Sequence, residues 1–172
     1  MKISVFWFRR DLRIEDNTAL FHALNSGFQV LPVFIFDTNI INELKPDDTR
    51  ISFIYTQLNN INSAFEKHEC TLKIIRSNPA GAFAQLFEKF EIHTVYSNRD
   101  YEPYALTRDA EIENLLKVKG IQFLQFKDQV IFENNEILKT DGEPYTIYTP
   151  YKNQWLKKIS GKSPEIKLTS PL

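Results

Sequence analysis

Short apolar runs at residues 3–8, 30–36, 72–75, 94–96 and 121–126 alternate with longer segments of helical period. The runs are rich in β-branched and aromatic side chains, as strands buried on both faces tend to be. Between them, residues 17–25 carry Leu20, Ala23 and Leu24 on one face, and Gly27 supplies the stop that a left-handed helix end prefers. Residues 48–67 place Ile51, Ile54, Tyr55, Leu58, Ile61 and Phe65 at three- and four-residue steps, the stripe of a core-facing helix. Phe83, Leu86, Phe87 and Phe90 repeat that pattern after Pro79, and Pro103 opens a fourth helix that runs to Lys119 and stops at Gly120. Strand and helix in alternation predict an α/β fold, a Rossmann-like five-stranded parallel sheet with helices on both faces. The common strand order three, two, one, four, five makes the first and fourth strands neighbours and reverses the crossover direction between them.

Beyond residue 130 the period is lost. Asn134, Asn135, Asp141-Gly142 and Pro144 mark turns, and Thr149-Pro150 reads as a helix start with threonine as the cap and proline in the first turn. The chain is thus expected to divide into an α/β domain over 1–130, an irregular arm with a short helix over 131–159, and the start of a linker over 160–172. The arm is expected to pack back on the domain through Tyr148, Tyr151 and Trp155.

A 172-residue chain with 42% hydrophobic residues can bury one sizeable core. Its 21 lysines and arginines nearly balance 22 aspartates and glutamates, which argues against a nucleic-acid footprint spread over the whole domain. The locally basic stretch 151–172, with five lysines against one glutamate, reads as a solvated linker that could approach DNA or a following domain. Cys70 has no second cysteine to pair with, no Asn-x-Ser/Thr acceptor occurs, and neither a signal segment nor a membrane-length apolar run is present. A cytoplasmic monomer without membrane contact is the expected state.

Other chemistries are disfavoured. The five glycines are too widely spaced for a dinucleotide-binding turn, and Gly161-Lys162-Ser163 lacks the first glycine of a phosphate loop, with Leu156 in its place. His22, His68, His93 and Cys70 lack ligand spacing, so no metal site is expected, and no G-x-S-x-G turn supports a hydrolase. Tyr145, Tyr148, Tyr151 and Trp155 could stack bases, but at helical and turn spacing they read as packing.

Two charged clusters fall at carboxyl ends of predicted strands, the edge where open α/β sheets bind ligands. One is Arg9-Arg10-Asp11-Leu12-Arg13 with Glu15-Asp16-Asn17, and the other is Asn98-Arg99-Asp100-Tyr101-Glu102-Pro103 with Arg108-Asp109. In the expected strand order both face one crevice. The plainer reading is mutual neutralisation, Arg13 with Asp16 and Arg108 with Asp100 or Glu102.

These residues carry a resemblance. Trp7-Phe8-Arg9-Arg10-Asp11-Leu12-Arg13, followed by Asp16-Asn17 and Ala19-Leu20, is similar to the opening signature of the photolyase and cryptochrome family. Asp100-Tyr101-Glu102-Pro103-Tyr104 with Arg108-Asp109 resembles its second signature, and Gly142-Glu143-Pro144-Tyr145 through Tyr148-Thr149-Pro150-Tyr151 to Trp155 resembles the segment that leaves its first domain. The resemblance implies an amino-terminal domain that holds a light-harvesting chromophore, ahead of a helical domain that holds reduced FAD and the DNA lesion. In photolyases the excited flavin donates an electron that splits a flipped pyrimidine dimer, and the antenna passes excitation energy to that flavin. The parent protein is expected to be a DNA photolyase, a carbon–carbon lyase that repairs UV-induced dimers with blue light. The alternative is a cryptochrome-type photoreceptor without repair activity, and a freestanding nucleotide-binding module of similar fold is a third reading. Expected partners are damaged DNA and the protein's own helical FAD domain. Residues 1–172 are expected to contain no catalytic residue and to be inactive alone.

Clusters and resemblance together assign the antenna crevice to Arg9, Arg10, Asp11, Phe36, Asp37, Asn98, Asp100 and Glu102. Relatives that carry folate place a glutamate one or two residues beyond the Glu-Pro position, where this chain has Tyr104 and Ala105. Deazaflavin carriers keep the Asp-x-Glu-Pro-Tyr pattern of residues 100–104. A deazaflavin or FMN is therefore expected rather than methenyltetrahydrofolate, with Asp100 accepting a hydrogen bond from ring or ribityl donors.

Overall fold

A computed structural model describes residues 2–160. From residue 161 onward the expected linker, including Gly161-Lys162-Ser163, lies outside the described residues. Strands β1 (Lys2–Phe8), β2 (Gln29–Asp37), β3 (Lys73–Ser77), β4 (Glu91–Asn98) and β5 (Gln122–Phe126) pair in parallel in the order β3-β2-β1-β4-β5. Helices α1 (Thr18–Leu24), α3 (Thr49–Glu66), α4 (Pro79–Lys89) and α5 (Pro103–Val118) make the crossovers, as the hydrophobic periods predict. Between β2 and α3 lies α2 (Thr38–Ile41), a single turn with no sequence period to announce it.

The period-two alternation of β1 splits the core into two layers. Val5 and Trp7 join Val33, Ile35, Val95 and the α4 and α5 residues Phe83, Leu86, Ile112 and Leu116. Phe6 and Phe8 point the other way, into Leu20, Phe34, Leu58, Ile61 and Phe65 beneath α1 and α3. Asn17 accepts from the Leu20 amide at 3.1 Å and Asn78 from the Gly81 amide at 2.7 Å, which starts α1 and α4 on β-region residues. Gly120, at φ +69°, turns the chain from α5 into β5.

Three expectations are corrected. Tyr55 stands 57% exposed on α3, because the buried stripe narrows to Leu58, Ile61 and Phe65. The last helix, α6 (Tyr148–Ile159), begins one residue before Thr149, with Ile147 at its cap position and no side-chain cap hydrogen bond. Nor does the arm pack through all three aromatics. Tyr148 is 74% exposed, Tyr151 meets Tyr145, and Trp155 meets Phe132 edge-on at 5.6 Å. Buried Ile137 and polar bonds hold the arm instead: Glu133 accepts from Arg99 at 2.8 Å and Tyr101 at 2.9 Å, and Glu136 accepts from Lys127 at 2.6 Å.

Candidate functional site

The chain turns away from the sheet in opposite senses after β1 and β4, and the two loops part over the carboxyl edge. There a cavity of about 340 Å³ opens between the ends of β1 and β2, the α2 turn, and the starts of α3 and α5. Trp7, Phe34, Ile35 and Phe36 form its apolar base, with Ile40, Ile41, Leu44 and Ile54 as one wall. Arg10, Asp37, Asp100, Glu102, Tyr104 and Arg108 supply the polar side. An apolar slot with a few convergent polar groups, at the lower end of the roughly 300–1,000 Å³ range of ligand pockets, is the usual form of a small-molecule site. A larger hollow of about 870 Å³ lies at the opposite, amino-terminal edge beside Lys89, His93 and Lys119. Ligands of open α/β sheets bind at the carboxyl edge, so volume does not decide here.

Of the eight residues assigned from sequence, the structure brings six to this cavity: Arg9, Arg10, Phe36, Asp37, Asp100 and Glu102. Asp11 and Asn98 lie elsewhere, in a polar knot that fixes the loop after β1. The Asp11 carboxylate accepts from the Arg9 amide at 2.8 Å and from Asn98 Nδ2 at 2.5 Å. Asn98 Oδ1 accepts from the Ala19 amide at 2.9 Å, and Asn98 Nδ2 also donates to Asn17 at 2.9 Å. The knot ties β4 to the start of α1 and so aims Arg9 and Arg10.

Beside the cavity lies a buried charge cluster. Arg9 donates to Asp109 at 2.5 Å, Arg108 Nε donates to the same carboxylate at 3.0 Å, and Gln125 adds a third bond at 2.6 Å. Burial, then the charge of Arg108, lowers the Arg9 pKa to about 10 despite that partner. Arg9 Nε and Nη2 and Arg108 Nη2 are buried without a protein hydrogen-bond partner, an arrangement that calls for an acceptor from elsewhere. Asp100 is 8% exposed, and its Oδ2 stands 3.9 Å from Arg108 Nη2, beyond hydrogen-bond distance. The neutralisation expected from sequence is kept between Arg108 and Asp100, an ion pair at 3.9 Å, and is joined by other partners. Arg108 pairs with Asp109, Glu102 with Arg10 at 2.5 Å, and Arg13 with Asp128 at 2.7 Å while also donating to the Asp16 carbonyl.

Across the cavity mouth the Tyr104 hydroxyl donates to Asp37 and accepts from Asn39 at 3.2 Å. Burial and the Asp37 hydrogen bond raise the Tyr104 pKa above its ordinary value of 10. Sequence reasoning used Tyr104 and Arg108 for other purposes and missed Ile40, Ile41, Leu44 and Arg50. The available signal was Asp37-Thr38, an acidic cap directly after a strand, whose carboxylate accepts from the Asn39 amide at 3.0 Å.

The family model for DNA photolyase matches residues 4–169. The deoxyribodipyrimidine photo-lyase of a Synechococcus strain is 30% identical over 151 residues, which cover 88% of this chain and 31% of that protein. The photolyase of the archaeon Sulfolobus tokodaii, whose crystal structure is described as holding two FAD molecules and implicating a novel light-harvesting cofactor, superposes with a TM-score of 0.75 at 26% identity. That match covers 93% of this chain and 35% of the archaeal one. A Synechocystis cryptochrome shares the fold at TM-score 0.84 and 18% identity, over 100% of this chain and 37% of its own. The chain therefore spans about a third of the length of these relatives.

Proposed function

The chain belongs to the DNA photolyase family, and from that membership we propose that its carboxyl-edge crevice holds a flat, flavin-like light-harvesting chromophore, a deazaflavin or FMN. When bound, such a group absorbs light and passes the excitation on. Everything else is the work of this chain's residues. Phe36 and Ile54 flank a planar ring and keep water from it, with Trp7 at the base of the slot, while Asp100 accepts a hydrogen bond from ring or ribityl donors. The unpartnered N–H groups of Arg9 and Arg108 offer donors to ligand oxygens. Phe36 and Asp37 close the β2 side, and Arg10 and Glu102 form the rim.

The observation that carries this reading is the meeting, at one switch point, of an aromatic slot, a buried carboxylate that stands 3.6 Å from Arg10 and 3.9 Å from Arg108, and buried guanidinium N–H groups without partners. Methenyltetrahydrofolate is disfavoured because Tyr104 and Ala105 occupy the positions where folate carriers place a glutamate. The test is a fluorescence titration of the chain with FMN, a deazaflavin and methenyltetrahydrofolate. Tight binding of a tricyclic ligand supports the reading, whereas tight folate binding or no tricyclic binding overturns it.

For the parent protein we propose light-driven repair of pyrimidine dimers in DNA, with FAD held by a helical domain. The Sulfolobus relative, with its two FAD molecules, supports that reading. The alternative, a photoreceptor without repair, takes its support from the cryptochrome fold match. Light-dependent loss of dimers from DNA treated with the parent protein tests the first; signalling without such loss supports the second.

A further inference from the structure

We propose that Arg9 and Arg108 guard Trp7 against oxidation, so that an excited chromophore in the crevice hands on its energy instead of taking an electron from the indole. The inference rests on the reading of the crevice as a chromophore site. Trp7 is 2% exposed and lines the cavity. The Arg9 guanidinium carbon lies 4.2 Å from the indole centroid and that of Arg108 lies 5.2 Å from it. Excited flavin-like rings accept electrons readily, and indoles are among the side chains that give them up most easily. The step to be prevented moves one electron from the indole to the ring system, leaving an indole radical cation and a one-electron-reduced ring. Excitation spent that way is lost to energy transfer.

The surroundings oppose the radical cation. It would form beside two guanidinium groups in a buried site where fixed charges act strongly. The same burial and the same Arg108 charge that lower the Arg9 pKa to about 10 would act on any further cation placed there. Asp109, bonded to both arginines, and Asp100, 3.9 Å from Arg108, offset part of the positive charge. Both guanidinium groups nonetheless sit over the ring itself. Tyr104, the other oxidisable ring at the cavity, lies 5.9 Å from the Arg108 guanidinium. Its hydroxyl donates to Asp37, which could take its proton on oxidation, so the test must separate the two rings.

The probe is FMN, read by its bound fluorescence lifetime on the full chain, with affinity measured on the same samples. R108Q is expected to shorten the lifetime at least twofold, R108K to keep it near the wild-type value, and adding W7F to R108Q to restore it. An unchanged lifetime in R108Q, or a shortening that persists with W7F, would overturn the proposal. W7F alone decides even where R108Q does not fold. Guarded Trp7 is already silent, so W7F should match wild type, and a longer lifetime refutes the guard. A wild-type chain that does not bind FMN would count against the crevice reading instead. The guard is then tested on Trp7 itself by voltammetry of the W155F chain, in which Trp7 is the sole tryptophan. R108Q should lower its oxidation potential, and an unchanged potential overturns the proposal.

Discussion

Asp109→Asn removes one charge and little volume from the buried cluster beside the crevice, which makes it the sharpest test of what holds that cluster together. Asp109 is 7% exposed and accepts from Arg9 at 2.5 Å, Arg108 at 3.0 Å and Gln125 at 2.6 Å. An asparagine keeps one acceptor oxygen but turns an N–H₂ toward donors. Arg108 would then keep only Asp100, at 3.9 Å, and Arg9 only the more distant charge of Asp11. Breaking a buried ion pair from one side costs about 3–5 kcal/mol, because the remaining charge is left without compensation. At roughly 2–4 °C per kcal/mol for a chain of this size, the melting temperature should fall by about 6–20 °C. Urea unfolding followed by circular dichroism measures the loss, with exposed Glu113→Gln on the same helix as a control expected to stay within about 0.5 kcal/mol. A loss below about 1 kcal/mol for Asp109→Asn would show that water reaches the cluster and that its burial does not organise the site.

Three further outcomes are expected. Leu58→Ala, at a fully buried position between α3 and the sheet, should cost about 2–5 kcal/mol in urea unfolding, and a loss under about 1 kcal/mol would mean that the layer collapses around the gap. In the arm, burial raises the Glu133 pKa, but hydrogen bonds from Arg99 and Tyr101 outweigh it and leave the value below 4.5; the Lys127 bond lowers Glu136 likewise. The stability these carboxylates contribute is therefore present above their unfolded values and lost as pH falls through the lower folded ones, so Trp155 fluorescence in a W7F chain should report the arm loosening at acid pH, with E133Q loosening it at neutral pH. Asp100→Ala should weaken binding of a tricyclic ligand by about tenfold or more, the worth of a charge-assisted hydrogen bond, and an unchanged affinity would return Asp100 to a purely structural role.

The sheet was legible because parallel strands buried on both faces must be apolar along their length, and residues 3–8 and 30–36 are so. Strand order followed from the common arrangement of such sheets, and it brought both charged clusters to one edge. The division of labour among those charges was not legible. Asp11 and Asn98 sit in sequence beside Arg10 and Asp100, yet turn into a knot that caps α1, because a loop leaving a parallel strand needs its own amides satisfied. The α2 turn went unread since four residues carry no period, and its one mark was the Asp37-Thr38 cap. The arm misled because Tyr148, Tyr151 and Trp155 look like a packing stripe, whereas Glu133 and Glu136 hold the segment through polar bonds that no hydrophobic pattern records.

Where on the domain a tricyclic ligand sits is the question on which the account turns, and amide and indole chemical shifts of the ¹⁵N-labelled chain during titration with FMN answer it directly. The largest shifts are expected on Trp7, Arg9, Arg10, Asp37, Asp100 and Tyr104 around the carboxyl-edge crevice. Shifts centred on Lys89, His93 and Lys119 at the opposite edge, or on Tyr148 and Trp155 of α6, would contradict that placement.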